Sequence, residues 1–196
     1  KKSVDMPENK IIETPKEEIL AKIAKVKANA DKWNKLEHSK KLVHLKKMQE
    51  NLNEIFEEWG KACSESRGLE NYELFKGVGY VMGPGVFGLW LNQLIQTYES
   101  LISTNAPPKP VAERKVNNSK IAQVLPYTTL DSIAGGGQKV ELWMEPGKDI
   151  SQGKILSAKP GLVGILGAGN YEAPVDILTK MFLHQKVAVY KSHPNL

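Results

Sequence analysis

The apolar positions of this chain change period along its length. Ile19, Ile23, Val26, Ala30 and Trp33 fall at helical spacing, and Leu45, Met48, Leu52, Ile55 and Trp59 repeat it. The pattern predicts two amphipathic helices laid as an antiparallel pair over something else. Thr14-Pro15-Lys16-Glu17 reads as the first helix start, with Thr14 as cap and Glu17 closing a capping box. Ser39 is the expected cap of the second helix, and Gly60 marks its early end or a kink. Residues 66–76 read as a turn. Gly83-Pro84-Gly85 then kinks or starts a long helix carrying Leu91, Leu94, Ile95, Tyr98, Leu101 and Ile102.

Period two takes over after Asn105–Pro110, a linker with three prolines. Ile121–Pro126 and Val140–Met144 are predicted strands, separated by a flexible turn at Gly135-Gly136-Gly137. In the second, Val140, Leu142 and Met144 alternate with Glu141 and Trp143, as a partly exposed strand would. Leu162–Leu166 is a short apolar run stopped by Gly167-Ala168-Gly169-Asn170. Pro174 suits a first helical turn, and Val175, Leu178, Met181 and Phe182 supply one apolar face. Val187–Tyr190 is a second β-branched run. Strand, glycine turn, helix and strand make one βαβ unit, expected to be parallel with a right-handed crossover. The expected class is α/β. A helical segment (1–110) leads to a short antiparallel strand arm (111–160), and then to the first βαβ unit of a Rossmann-like domain (161–196).

Composition changes this picture little. Of 196 residues 41% are hydrophobic and 25% charged, as in an ordinary globular chain. No apolar run approaches the roughly 20 residues that span a bilayer, and none reads as a signal peptide. A single cysteine, Cys63, excludes an internal disulfide and agrees with a reducing, cytoplasmic setting. The net charge of +5 is local: residues 1–50 hold 13 basic and 8 acidic residues. Acidic residues are interspersed there, so the region reads as solvated helix faces, with no nucleic-acid or membrane partner expected.

The βαβ unit is where chemistry is expected, because such units bind ligands at the carboxyl ends of their strands. Those ends carry Gly167 to Asn170 and Lys191. The stretch resembles the start of the cofactor domain of the aldehyde dehydrogenase superfamily. Ala168-Gly169-Asn170-Tyr171 stands where that family has a proline-tryptophan-asparagine-phenylalanine segment. Lys191-Ser192-His193-Pro194 stands where it has lysine-proline-serine-glutamate. The asparagine and the lysine are kept; most neighbours differ, as in a divergent branch. The likeness covers 159–194 closely and the chain loosely from Thr14.

What the resemblance implies is an oxidoreductase converting an aldehyde to an acid with NAD or NADP, in a homo-oligomeric parent. It gives Asn170 the oxyanion of a thiohemiacetal and Lys191 the nucleotide. Gly167 and Gly169 let the backbone come close to the cofactor. Pro194 replaces the family's ribose-binding glutamate, which leaves NAD and NADP both open. An acyl-CoA-reducing relative shares this frame. A noncatalytic partner-binding domain is the reading from another class. Glu172 and Asp176 read as helix-start acids. The histidines show no metal-ligand spacing, and nothing in sequence supplies Cys63 with a base, so neither a metal nor a nucleophilic Cys63 is expected. The family's nucleophile and glutamate base lie downstream of such a unit. The chain is therefore expected to be the N-terminal portion of a longer protein, inactive alone.

Overall fold

The structure, a computed structural model, describes residues 13–168 and 174–193. Helices fill the first half. α1 (Lys16–Lys27) and α2 (Ala30–Asn34) are separated by a break at Ala28 and Asn29. α3 (His38–Glu65) is the longest helix. α4 (Lys76–Tyr80) passes through a π turn at Val81–Gly85 into α5 (Val86–Thr104).

Several local expectations are corrected. Thr14 does not cap α1: Pro15 occupies the N-cap position without a side-chain bond, and the box with Glu17 does not form. Ser39 does not cap α3 either, since Glu37 holds that position and the Ser39 hydroxyl donates to its carboxylate at 3.4 Å. Gly60 neither ends nor kinks α3, which runs on to Glu65. The expected single face from Ile19 to Trp33 is split by the break. No residue of α1 is fully buried, and this helix lies against β5 (Val187–Lys191). The main partners of α3 are α4 and α5.

Glycines explain how α4 comes so close to α3. A Cβ on Gly79 would stand 2.6 Å from the Ser64 backbone nitrogen and 2.7 Å from the Gly60 carbonyl oxygen. A Cβ on Gly60 would overlap the Tyr80 ring. Gly83, in the π turn, lies against Cys63 in the same way. Gly79 lets its backbone touch that of α3, while Gly60 and Gly83 leave room for the Tyr80 ring and the Cys63 side chain.

The predicted strands form with one addition. β1 (Ala112–Val116), β2 (Ser119–Leu125) and β3 (Val140–Trp143) make an antiparallel sheet in that order. β1 is the addition. Its sequence Ala-Glu-Arg-Lys-Val is exposed along almost its whole length, so it carries no apolar alternation to read. A short helix, α6 (Thr129–Ala134), joins β2 to β3. Only a flexible turn was expected between these strands, so α6 is a further addition. It is held by a capping box in which the Thr128 hydroxyl accepts from the Asp131 N–H at 3.1 Å and the Asp131 carboxylate accepts from the Thr128 N–H at 2.8 Å.

β4 (Leu162–Leu166) and β5 pair in parallel, joined through α7 (Pro174–Leu178) and a π turn at Thr179–Leu183. The register runs from Leu162 opposite Val187 to Leu166 opposite Lys191. Leu178 and Phe182 from the crossover enter the same core as Leu45, Leu91, Leu94, Ile95, Tyr98 and Leu101. Ile102, expected on that stripe, is exposed. The chain is thus α/β in class, with one core shared by the helices and the crossover. Among the described residues no helix is long and apolar enough to cross a membrane.

The two glycines of α4 separate helix propensity from close contact. Nothing lies within 4 Å of a Cβ built on Gly77. Gly77→Ala should therefore stabilise the protein by about 0.5–1 kcal/mol. Gly79→Ala should destabilise it by about 1–3 kcal/mol, because backbone atoms stand in the way. Urea denaturation of both variants checks this; equal midpoints would show that the helices do not meet at Gly79.

Candidate cofactor site

Parallel pairing sets the geometry of this site. Both strands point the same way, so their carboxyl ends lie side by side. One bond beyond the ladder, the Gly167 N–H donates to the Lys191 carbonyl at 2.8 Å. The structure thus brings Gly167 and Lys191 together, as the βαβ reading requires. Lys191 is exposed, and among the described residues its ammonium donates at 3.4 Å to the Ser192 carbonyl. Gly167 has a different reason from the one expected. A Cβ there would lie 2.6 Å from the Tyr190 hydroxyl and 3.0 Å from the His193 nitrogen. Its missing side chain makes room for this chain's own strand end. Gly169 and Asn170 lie outside the described residues, as do Glu172 and Pro194.

Asp176 sits in the first turn of α7, where a carboxylate favours the helix dipole. Among the described residues no group of three or more His, Cys, Asp or Glu could hold a metal ion. Cys63 is buried at 3% exposure, inside α3 and against Gly83. That placement is a packing position rather than that of an accessible nucleophile.

A strongly perturbed cation lies elsewhere, at a position that nothing in the local pattern singles out. Lys41 of α3 belongs to the run His38-Ser39-Lys40-Lys41, which looks like a solvated face, yet its side chain is 0% exposed. Its ammonium donates to the Gln185 side-chain oxygen and, at 3.3 Å, to the Asn34 carbonyl. It also lies 5.2 Å from the Trp33 ring centroid. Gln185 in turn donates to the Tyr98 hydroxyl at 2.9 Å and to the Phe182 carbonyl. Tyr98 donates to the same Phe182 carbonyl at 2.8 Å. Every polar atom here faces another, which is how a buried polar cluster avoids a large desolvation cost. The cluster joins α3 and α5 to Gln185, two residues before β5. It is a joint of the fold and stands apart from the strand ends.

Desolvation lowers the Lys41 pKa to about 8. Burial raises that of Tyr98 to about 12, opposed by the bond from Gln185. His38, with its ring centroid 5.6 Å from that of Tyr98, is lowered first by burial and then by the Lys41 charge.

A cavity of about 760 Å³ does not coincide with Gly167 and Lys191. It is lined by Lys159 and Lys186, just before the starts of β4 and β5. Comparison with family models, with curated proteins and with solved structures finds no match for the chain.

The joint predicts an alkaline signature. Unfolded, Lys41 titrates near its ordinary value of 10.5; folded, near 8. Between these values the unfolded chain holds a proton that the folded chain has released, so this group makes stability rise with pH. Tyr98 acts oppositely above its ordinary value of 10.0, where the folded chain keeps a proton that the unfolded chain loses. Between pH 8 and 10, Lys41→Met should lose on the order of 2 kcal/mol of the wild-type rise. Tyr98→Phe should lose the fall above pH 10. Urea midpoints across pH read both; parallel wild-type and Lys41→Met curves would mean that Lys41 stays solvated.

Proposed function

We propose that this chain carries the opening βαβ unit of a nicotinamide-dinucleotide site in an enzyme oxidising aldehydes to acids. The observation that carries the reading is the parallel β4–β5 pair with Gly167 and Lys191 adjacent at its carboxyl ends. Ligands of open α/β sheets lie across such ends. Lys191 fits the role of holding a nucleotide ribose or phosphate, being exposed and on the end strand position.

When bound, NAD or NADP accepts a hydride from the substrate. The chain's own residues bind and orient. Lys191 supplies a positive charge and up to three N–H donors. Asn170, the family's asparagine by resemblance, supplies a side-chain amide to the oxygen that gains negative charge during attack on the aldehyde. A fixed donor at that point contributes a few kcal/mol in comparable sites. Cys63 is packed between helices, so this reading places the thiol nucleophile and its base in further sequence of the parent protein. That parent acts as a homo-oligomer in the cytoplasm, with the strand arm as its contact.

Two substitutions in the parent enzyme separate the roles. Lys191→Ala should raise the cofactor KM about 10-fold with kcat little changed, as expected for loss of a charged hydrogen bond. Asn170→Ala should lower kcat about 10²–10³-fold with cofactor saturation little changed. The 196-residue chain alone should form no NAD(P)H from aldehyde. Parent-like kinetics for both variants would leave Asn170 and Lys191 as turn and surface residues, and the resemblance would concern fold alone.

A further inference from the structure

The cavity at the opposite end of the parallel pair has its own chemistry. Four lysines line it, Lys109, Lys154, Lys159 and Lys186, together with His184. No Asp or Glu is among the lining residues. None of the four lysines is in an ion pair among the described residues. The carboxylate tied to a lining residue is that of Asp131, through the Gln93 amide at 3.1 Å. Its oxygens are already engaged there and by the Tyr127 and Thr128 N–H groups, at 3.0 and 2.8 Å.

The lysines converge from separate segments. Lys154 and Lys159 flank the short 3-10 turn Ile155–Ser157. Lys186 reaches back over the start of β4, its ammonium 3.0 Å from where a Cβ of Gly161 would stand. Lys109 comes from the proline linker, which the Gln152 amide fastens by donating to the Pro108 carbonyl. The same cavity is lined by apolar side chains, Val124 and Leu142 from the antiparallel sheet, Ile155, and Leu183 at the end of the crossover, along with the polar Gln93, Thr97 and Gln152. The volume falls in the range of small-molecule sites, about 300–1,000 Å³. Unpaired positive charge over an apolar floor raises the local concentration of anions, and the floor rewards those with a hydrocarbon body.

We propose that this cavity binds an amphipathic organic anion, a straight-chain carboxylate with its head on the lysines and its tail on Val124, Leu142 and Leu183. The proposal is independent of the cofactor reading, since it uses none of those residues.

Calorimetric titration of the purified 196-residue chain with decanoate and dodecanoate, below their micelle concentrations, tests this. Each added methylene should tighten binding about 3–4-fold. Dodecan-1-ol, with the tail and no charge, should bind at least about 10-fold more weakly than dodecanoate. Acetate should bind negligibly. The double variant Lys154→Gln, Lys186→Gln should weaken dodecanoate about 10-fold, whereas Lys46→Gln, at a lysine paired with Glu99, should leave it unchanged. Thermal melting shows whether the double variant is folded; should it unfold, Lys109→Gln and Lys159→Gln singly are each expected to weaken binding. Equal affinity for acid and alcohol, or indifference to all these lysines, would overturn the proposal. So would saturation by a short poly-glutamate peptide with no response to dodecanoate, which would give the cavity to an acidic protein segment.

Discussion

The bond between Lys41 and Gln185 is the constraint on which the arrangement of this protein turns. Gln185 stands two residues before β5 with a left-handed backbone, φ 56°, which costs a residue with a side chain. Its amide is fastened on three sides, to Lys41, Tyr98 and the Phe182 carbonyl. The turn is thereby held to α3 and α5, and β5 starts where it can lie parallel to β4. Trp33 strengthens the same joint from α2, donating to the Met181 carbonyl at 2.8 Å and meeting the Phe182 ring edge-on at 5.1 Å. A buried ammonium is expensive, and removing any one partner leaves another unsatisfied. The joint therefore favours one docking of the crossover over nearby alternatives.

A second constraint is steric. The glycines at 60, 79 and 83 bring α4 and the π turn onto α3, and this contact aims α5 so that Leu91, Leu94 and Tyr98 reach the core. The two constraints divide the work. Close backbone contact orients the helices, and the polar joint attaches the parallel strands to them.

The parallel pair consequently presents two different ends. At the carboxyl end Lys191 is exposed beside Gly167, and Leu166 is 80% exposed. At the amino end Lys159 and Lys186 border a lysine-lined cavity shared with the antiparallel sheet. That sheet is itself open, with Leu142 and Trp143 more than half exposed. Chemistry read from a strand-end lysine concerns only the first of these ends.

Local pattern was enough for the elements that bury a regular face. Leu162–Leu166, the α5 stripe and α3 could be read because burial on one side imposes a period on the sequence, whereas the expected first helix is broken in two and its first part buries no residue. The short α6 and its cap at Thr128 and Asp131 went unread between the two strands, and β1 had no period to show because almost none of it is buried. Of the candidate site, the chain itself named Gly167 and Lys191, and the structure set them side by side. Tertiary structure alone decided the rest. It filled the space at Gly167 with Tyr190 and His193, turned Gly60 from a helix stop into a contact, and drew Lys41 out of a basic run into the core. It also gathered lysines from positions 109 to 186 around one cavity. Sequence periodicity reports which side of an element is buried; what it is buried against depends on residues that meet only when the chain has folded.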